Sequence, residues 1–269
     1  MFTWRHFVWL LLCACMVAGM VLYAERKKLS LKQVLTYAFV ISLLSEVTKL
    51  VSVIELVPSA TGELLLPYLP MNHLPLHFCS IQILLIAYCR FTRNRTARET
   101  VLTFMYPTCV VGALLALAMP SIFQTSISVE QAFTAPIAYQ FFIFHAMLIA
   151  LGLIIAGSSE IHWQKKHMYN TILIVFLLGF VSVYVNSMLA SPTYVDGKLV
   201  SVDFWTNFFF TIQNPLGIKL TAIWQWYLYL AIIMALAALS VAACDLPVLK
   251  RTRKRQKQEA GSDENKGDA

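Results

Sequence analysis

Charge is scarce in this chain. Asp, Glu, Lys and Arg make up 13% of its 269 residues, about half the share of a soluble domain, while 58% are hydrophobic. That balance excludes a soluble globular protein and leaves no soluble domain of useful size beside the apolar stretches. The sequence also lacks a Gly-rich phosphate loop and a Cys-x-x-Cys pair, so neither a P-loop nucleotide site nor a cysteine zinc site is expected. It has no internal repeat and no matching pair of Gly- or Pro-broken spans, features on which many transporters are built. A cleavable signal is not expected either, because positive charges follow the first apolar stretch instead of preceding it. The six cysteines all fall in apolar stretches and read as small hydrophobes.

What is present is a series of runs long enough to span a bilayer, each about 20 mostly apolar residues. Seven are marked off: 6–24, 33–54, 73–90, 100–120, 136–157, 170–190 and 218–244. The expected fold is therefore all-α, a seven-transmembrane-helix bundle over residues 1–247. Residues 248–269, basic and then acidic, are expected to form a disordered tail. Alternate connections carry the Lys and Arg: Arg26 to Lys32, Arg93 to Arg98, Lys165 and Lys166, and the segment from Lys250. Residues 55–72 and 121–135 carry none, and 191–217 carry only Lys198. The positive-inside rule then puts the N-terminus outside and the C-terminus in the cytoplasm. The net charge of +7 is explained by this topology, so no nucleic-acid partner is expected. Short loops favour a bacterial plasma membrane.

The informative residues are the polar ones inside the spans. Glu46, Lys49, His73, His77, Cys79, His145 and Asn186 all fall in the half nearer the expected outer face. Ionisable groups within a bilayer are costly, usually face the bundle interior, and mark a functional site by default. Glu46 and Lys49 are three apart on one helix face and can neutralise one another. In the third span Asn72 reads as the N-cap, with Pro75 in the first turn. His73 and His77 then share a face, while Cys79 turns toward the face of Gln82. The histidine pair lacks a third ligand in the sequence, so neither metal nor other cofactor is expected. His145 lies roughly 13 Å below the surface at 1.5 Å per residue, near enough to the depth of Cys79 for a thiol and its base to meet. Gln225 and Trp226 open the last span, within Trp224-Gln-Trp-Tyr227.

The strings His73-Leu-Pro-Leu-His-Phe-Cys79, Phe141-Phe-Ile-Phe-His145 and Trp224-Gln-Trp-Tyr227, with Asn186 before a loop holding Tyr194, together resemble the YwaF-like integral membrane family. Its animal relatives are the transmembrane protein 164 lipid acyltransferases. The chain departs from the family pattern at Gln225, where proline is frequent, and at Ser191-Pro-Thr-Tyr194. The resemblance implies a Cys nucleophile at Cys79 and a His base at His145.

Two functions are carried forward. One is a lipid acyltransferase or acyl-ester hydrolase in which Cys79 and His145 are catalytic and His77 or Asn186 donates to the oxyanion. Glu46, Lys49, His73, Gln82, Asn186, Gln225 and Trp226 would then line the substrate, a membrane lipid. The alternative is a transporter or receptor that uses the same polar cavity for a small polar or anionic molecule.

Overall fold

In the computed structural model every residue is described except 1–2, 60, 63, 75, 121, 216 and 268–269; for 124, 125, 256, 257 and 259–267 the backbone alone is described. The chain is helical with two small hairpins. In order the elements are α1 (Trp4–Arg26), α2 (Leu31–Val53), β1 (Glu55–Pro58), β2 (Leu65–Tyr68), α3 (Phe78–Phe91), α4 (Arg95–Ala118), the single turn α5 (Ile122–Thr125), α6 (Pro136–Gly157), α7 (Lys165–Met188), β3 (Ala190–Val195), β4 (Lys198–Phe204) and α8 (Ile223–Gly267). Short 3₁₀ turns lie at Met71–His73, Val129–Phe133 and Phe208–Phe210. Among the described residues α1, α2, α4, α6, α7 and α8 are long and apolar enough to cross a membrane; α3 is apolar but has only 14 residues.

The connections sort to the two ends of the bundle. At one end, here the basic end, α1–α2, α3–α4 and α6–α7 are joined by short turns. The starts of α2 and α4 are capped there by their own sequence: Ser30 and Gln33 form a reciprocal capping box, and Asn94 Oδ1 accepts from Ala97 N at 3.0 Å. The same end is tied across helices. Glu160 Oε1 accepts from Leu31 N at 3.0 Å, and Arg90 Nε donates to Thr36 Oγ1 at 2.6 Å. At the other end, the hairpin end, lie both β-hairpins. The β3–β4 turn is Asp196-Gly197, with both residues at positive φ (50° and 73°), as a two-residue hairpin loop requires.

The core is organised around α6, which packs against α1, α2 and α4. Its apolar residues go all the way round, so it lies inside the bundle. Trp9 of α1 stacks on Phe142 at 4.6 Å and 5°, while its indole N–H donates to Ala132 O at 2.8 Å. On the other side α4 approaches closely at Gly152. A Cβ there would stand 2.6 Å from Val110 Cγ2, 3.1 Å from Tyr106 O and 3.3 Å from Cys109 Cβ.

One sequence expectation changes. The third span does not start as a helix at residue 73. Asn72 and His73 lie in a separate 3₁₀ turn, Leu74 is extended (φ −58°, ψ 143°), and α3 begins at Phe78 with His77 as its N-cap. The physical reason is the residue order: Leu74 precedes Pro75, and a residue before proline is pushed out of the α region. Pro75 itself, expected in the first turn, lies outside the described residues. His73 and His77 therefore do not share one helix face. At the C-terminus, α8 is helical to Gly267, through the basic segment. Extending an existing helix avoids the cost of nucleation, and Lys, Arg, Gln and Glu are good helix formers.

The close α4–α6 seam generates a stability prediction. Gly152→Ala must displace α4 and should cost about 1–3 kcal/mol. Gly19→Ala, at a site with nothing within 4 Å, should be neutral or gain up to about 1 kcal/mol from helix propensity. Thermal denaturation of the two variants in the same detergent checks this; equal midpoints contradict the packing.

Candidate functional site

The late start of α3 leaves residues 69–74, 76 and 77 outside it, reaching it from the hairpin end as a 3₁₀ turn and irregular backbone. Such backbone is tolerated at membrane depth only where protein covers it or where it lines a cavity. Here other elements cover it. From α2, Lys49 Nζ pairs with Glu46 Oε1 at 2.8 Å and donates to the carbonyl of His73 at 3.2 Å. The ammonium thus holds the 3₁₀ turn against α2, and the Glu46 carboxylate neutralises it. Glu46, Lys49 and the His73 carbonyl are therefore joined across α2 and the approach to α3. Among the described residues no group of three His, Cys, Asp or Glu side chains comes together as a metal cage.

His145 is buried and its Nδ1 stands 2.6 Å from the carbonyl of Phe141, one turn back on α6. A carbonyl only accepts, so Nδ1 carries the proton and Nε2 keeps its lone pair. The ring is packed between Phe141 (4.3 Å) and Phe144 (5.7 Å).

Cys79 occupies the second position of α3. The first N–H groups of a helix have no partner within it; the earliest turn here closes with Ile81 N on His77 O at 2.9 Å. Gly112 of α4 faces this turn, and a Cβ there would meet Phe78 Cβ at 3.4 Å and Cys79 Sγ at 3.9 Å. Among the described residues no hydrogen bond joins Cys79 to His145. One turn deeper, Gln82 is fully buried; its Nε2 donates to Thr108 Oγ1 at 2.9 Å, and its Oε1 has no hydrogen-bond partner.

The last wall was not foreseen. The segment Thr206-Asn-Phe-Phe-Phe-Thr211 folds back into the bundle as a strap. Phe208 is 1% exposed and lies edge-on to the His77 ring at 4.8 Å; Phe209 meets Phe78 at 4.3 Å and 88°. Phe209 and Phe210 have positive φ (58° and 54°), a strained conformation for bulky residues that persists only where surroundings enforce it. Asn186 supplies much of that enforcement. Its Oδ1 accepts from Phe208 N (2.9 Å) and Thr206 Oγ1 (3.0 Å), and its Nδ2 donates to Phe208 O and Thr211 Oγ1 (both 3.1 Å). Ser182 joins Thr211 at 2.9 Å, Trp226 Nε1 donates to Thr211 O at 3.0 Å, and Tyr229 OH donates to Phe210 O.

The expected site residues therefore divide. Asn186, with both amide atoms committed, grips the strap. Trp226 anchors the same strap, and Gln225 caps the start of α8, accepting from Thr221 N at 2.7 Å and Ala222 N at 3.1 Å. Sequence reasoning missed Thr206, Phe208 and Thr211. The available signal was an Asn-Phe-Phe-Phe run flanked by threonines beside a buried Asn186.

Asn186→Ala should release the strap, leaving buried partners of Phe208 unpaired at a cost of about 1–3 kcal/mol. Hydrogen exchange at residues 206–213 should accelerate while α1 stays unchanged. Unaltered exchange in the strap contradicts the clamp.

A model of the TMEM164 family matches residues 1–243, ending within α8 before the basic segment. No curated protein and no solved structure matches the chain.

Proposed function

Because the chain belongs to the TMEM164 family and is a multi-pass integral membrane protein, we propose that it is a membrane-embedded lipid acyltransferase or acyl-ester hydrolase. Cys79 is the nucleophile and His145 the base. The observation that carries this reading is the position of Cys79 in the first turn of a helix that begins inside the bundle. A helix N-terminus favours negative charge, on a thiolate and on a developing oxyanion alike.

The proposed topology has seven spans, with α3 as the short one, the hairpin end outside and the basic end in the cytoplasm of a bacterial plasma membrane. At 14 residues α3 is about 21 Å long, some 9 Å short of a hydrocarbon core of about 30 Å. Its first turn then sits below the external surface, at the depth of lipid esters and upper acyl carbons.

The chemistry runs as follows. Cys79 Sγ attacks the ester carbonyl carbon of a lipid as its proton passes to His145 Nε2. The tetrahedral oxyanion takes hydrogen bonds from N–H groups of the first turn of α3, with the His77 side chain as a further donor. The C–O bond breaks, the leaving alkoxide takes the proton from the imidazolium, and the acyl group remains as a thioester. The oxygen of an acceptor hydroxyl, or of water, then attacks the thioester carbonyl as its proton passes to His145 Nε2; the C–S bond breaks, the Cys79 thiolate takes that proton back, and the acyl group leaves as the new ester or free acid. Cys79 and His145 share no hydrogen bond in the free protein, so the substrate must draw them together; catalytic contacts commonly tighten only in the complex. Asn186 holds the strap in this scheme and takes no part in oxyanion binding. Lys49 and Glu46 set the charge beside the head group.

The test uses purified protein and phosphatidylglycerol with a radiolabelled acyl chain. The wild type should acquire a label that hydroxylamine removes, as it does a thioester, and should release or transfer the acyl group. Cys79→Ala should abolish the label, and His145→Ala should slow turnover by about 10²- to 10⁴-fold. Full turnover in both variants, or saturable solute uptake that survives Cys79→Ser without any acyl label, overturns the proposal.

A further inference from the structure

Two cavities lie end to end along the seam between α2 and α6. The first, about 570 Å³, is lined by Leu44, Ser45 and Thr48 of α2 and by Tyr139, Gln140 and Phe144 of α6. It occupies the part of the seam nearer the hairpin end. The second, about 300 Å³, is lined by Val34 and Ala38 of α2, Met147 and Leu151 of α6, and Tyr23 of α1, and continues toward the basic end. Ile41 belongs to both linings. From Thr48 to Val34 the seam runs about 21 Å along α2, longer than the roughly 15 Å of one leaflet's hydrocarbon.

What fills the seam follows from its walls and surroundings. Leu44 and Tyr139 are exposed side chains on helices long enough to cross a membrane, so the first cavity opens sideways into hydrocarbon. The linings are nearly all carbon, and water needs two to four polar partners to occupy such a space. The polar exception is a single rung: Gln140 Nε2 donates to Ser45 Oγ at 2.7 Å. The hydroxyls of Thr48 and Tyr139 are committed to the carbonyls of Leu44 (2.9 Å) and Phe133 (2.8 Å). The Gln140 carbonyl oxygen and second N–H therefore remain for a ligand. The rung also lies one turn from the Lys49–Glu46 pair, through Ser45 on the same face of α2. An occupant that is hydrocarbon along most of its length and hydrogen-bonding at one end is a lipid acyl chain with its ester.

We propose that the α2–α6 seam is the acyl-chain track of the site and that Ile41 is the partition that sets how long a chain it accepts. The substrate role of that chain rests on the acyl-transfer reading above; its seating in the seam does not. A chain with its ester at the Gln140–Ser45 rung meets Ile41 one helix turn away, about 6 Å along α2, and a longer chain has to pass it into the second cavity. Shrinking Ile41 joins the second cavity to the first.

The test measures which lipids the full-length protein retains. Wild type, Ile41→Ala, Ile41→Trp and the lipid-facing control Leu43→Ala are incubated with an equimolar mixture of phosphatidylglycerols of graded chain length, repurified, and their bound lipid is analysed by mass spectrometry. Ile41→Ala should raise the long-to-short ratio about tenfold, the worth of one to two buried methylenes; Ile41→Trp should lower it, and Leu43→Ala should match wild type. A phosphatidylglycerol carrying a diazirine in its chain should label peptides of α2 and α6. If Ile41→Trp does not fold, the alanine variant and the photolabel still decide. A ratio unmoved by Ile41→Ala, with no label on α2 or α6, overturns the track even when Cys79 forms its thioester. A shifted ratio in a protein whose Cys79 never acquires acyl label keeps the track and removes the cysteine chemistry.

Discussion

A backbone N–H or C=O that faces hydrocarbon without a partner costs several kcal/mol, and the architecture around α3 answers to that constraint. The residues leading into α3 leave helical geometry, so their polar groups must be met by other parts of the chain. Lys49 meets the His73 carbonyl from one side. From the other, the 206–211 strap lays Phe208 and Phe209 over His77 and Phe78. The outcome is a helix N-terminus with its uncommitted donors enclosed by protein, and Cys79 stands in its first turn.

Enclosure carries its own cost. Two consecutive phenylalanines at positive φ are held by Asn186, Ser182, Thr211, Trp226 and Tyr229 from α7, α8 and the strap itself. Such strain is typical of functional sites, where surrounding structure over-determines an unfavourable conformation. The central helix α6 connects the other parts. Its interior face carries His145, and its α2-facing side lines the apolar seam through Gln140 and Phe144. One helix thus carries both the buried imidazole of His145 and a wall of the apolar seam.

Much of this was legible in the sequence. The six long spans follow from run length and hydropathy, and the Glu46–Lys49 pair follows from its three-residue spacing on one helix face. The start of α3 was misjudged because an apolar run was read as continuous helix, whereas Leu74 obeys the local rule for a residue before proline. Asn186 was correctly singled out as a buried polar residue. Its partner was invisible, because the strap's donors and acceptors are mostly backbone groups of Phe208 that no side-chain pattern reveals. Gln225 read as a binding residue for a similar reason: a helix cap is defined by main-chain N–H groups, here those of Thr221 and Ala222. Phe208-Phe-Phe210 reads in sequence as generic membrane apolarity, and only its dihedral angles distinguish it.

The claim on which the account depends is that a lipid carbonyl can reach the first turn of α3. Cryo-electron microscopy of the protein in phosphatidylglycerol nanodiscs measures this directly. The account predicts an ordered lipid with its ester oxygen about 3 Å from the N–H groups at Cys79 and Ser80. Ordered lipid confined to the outer surfaces of the helices, with the turn at Phe78 sealed by packed side chains, would contradict it.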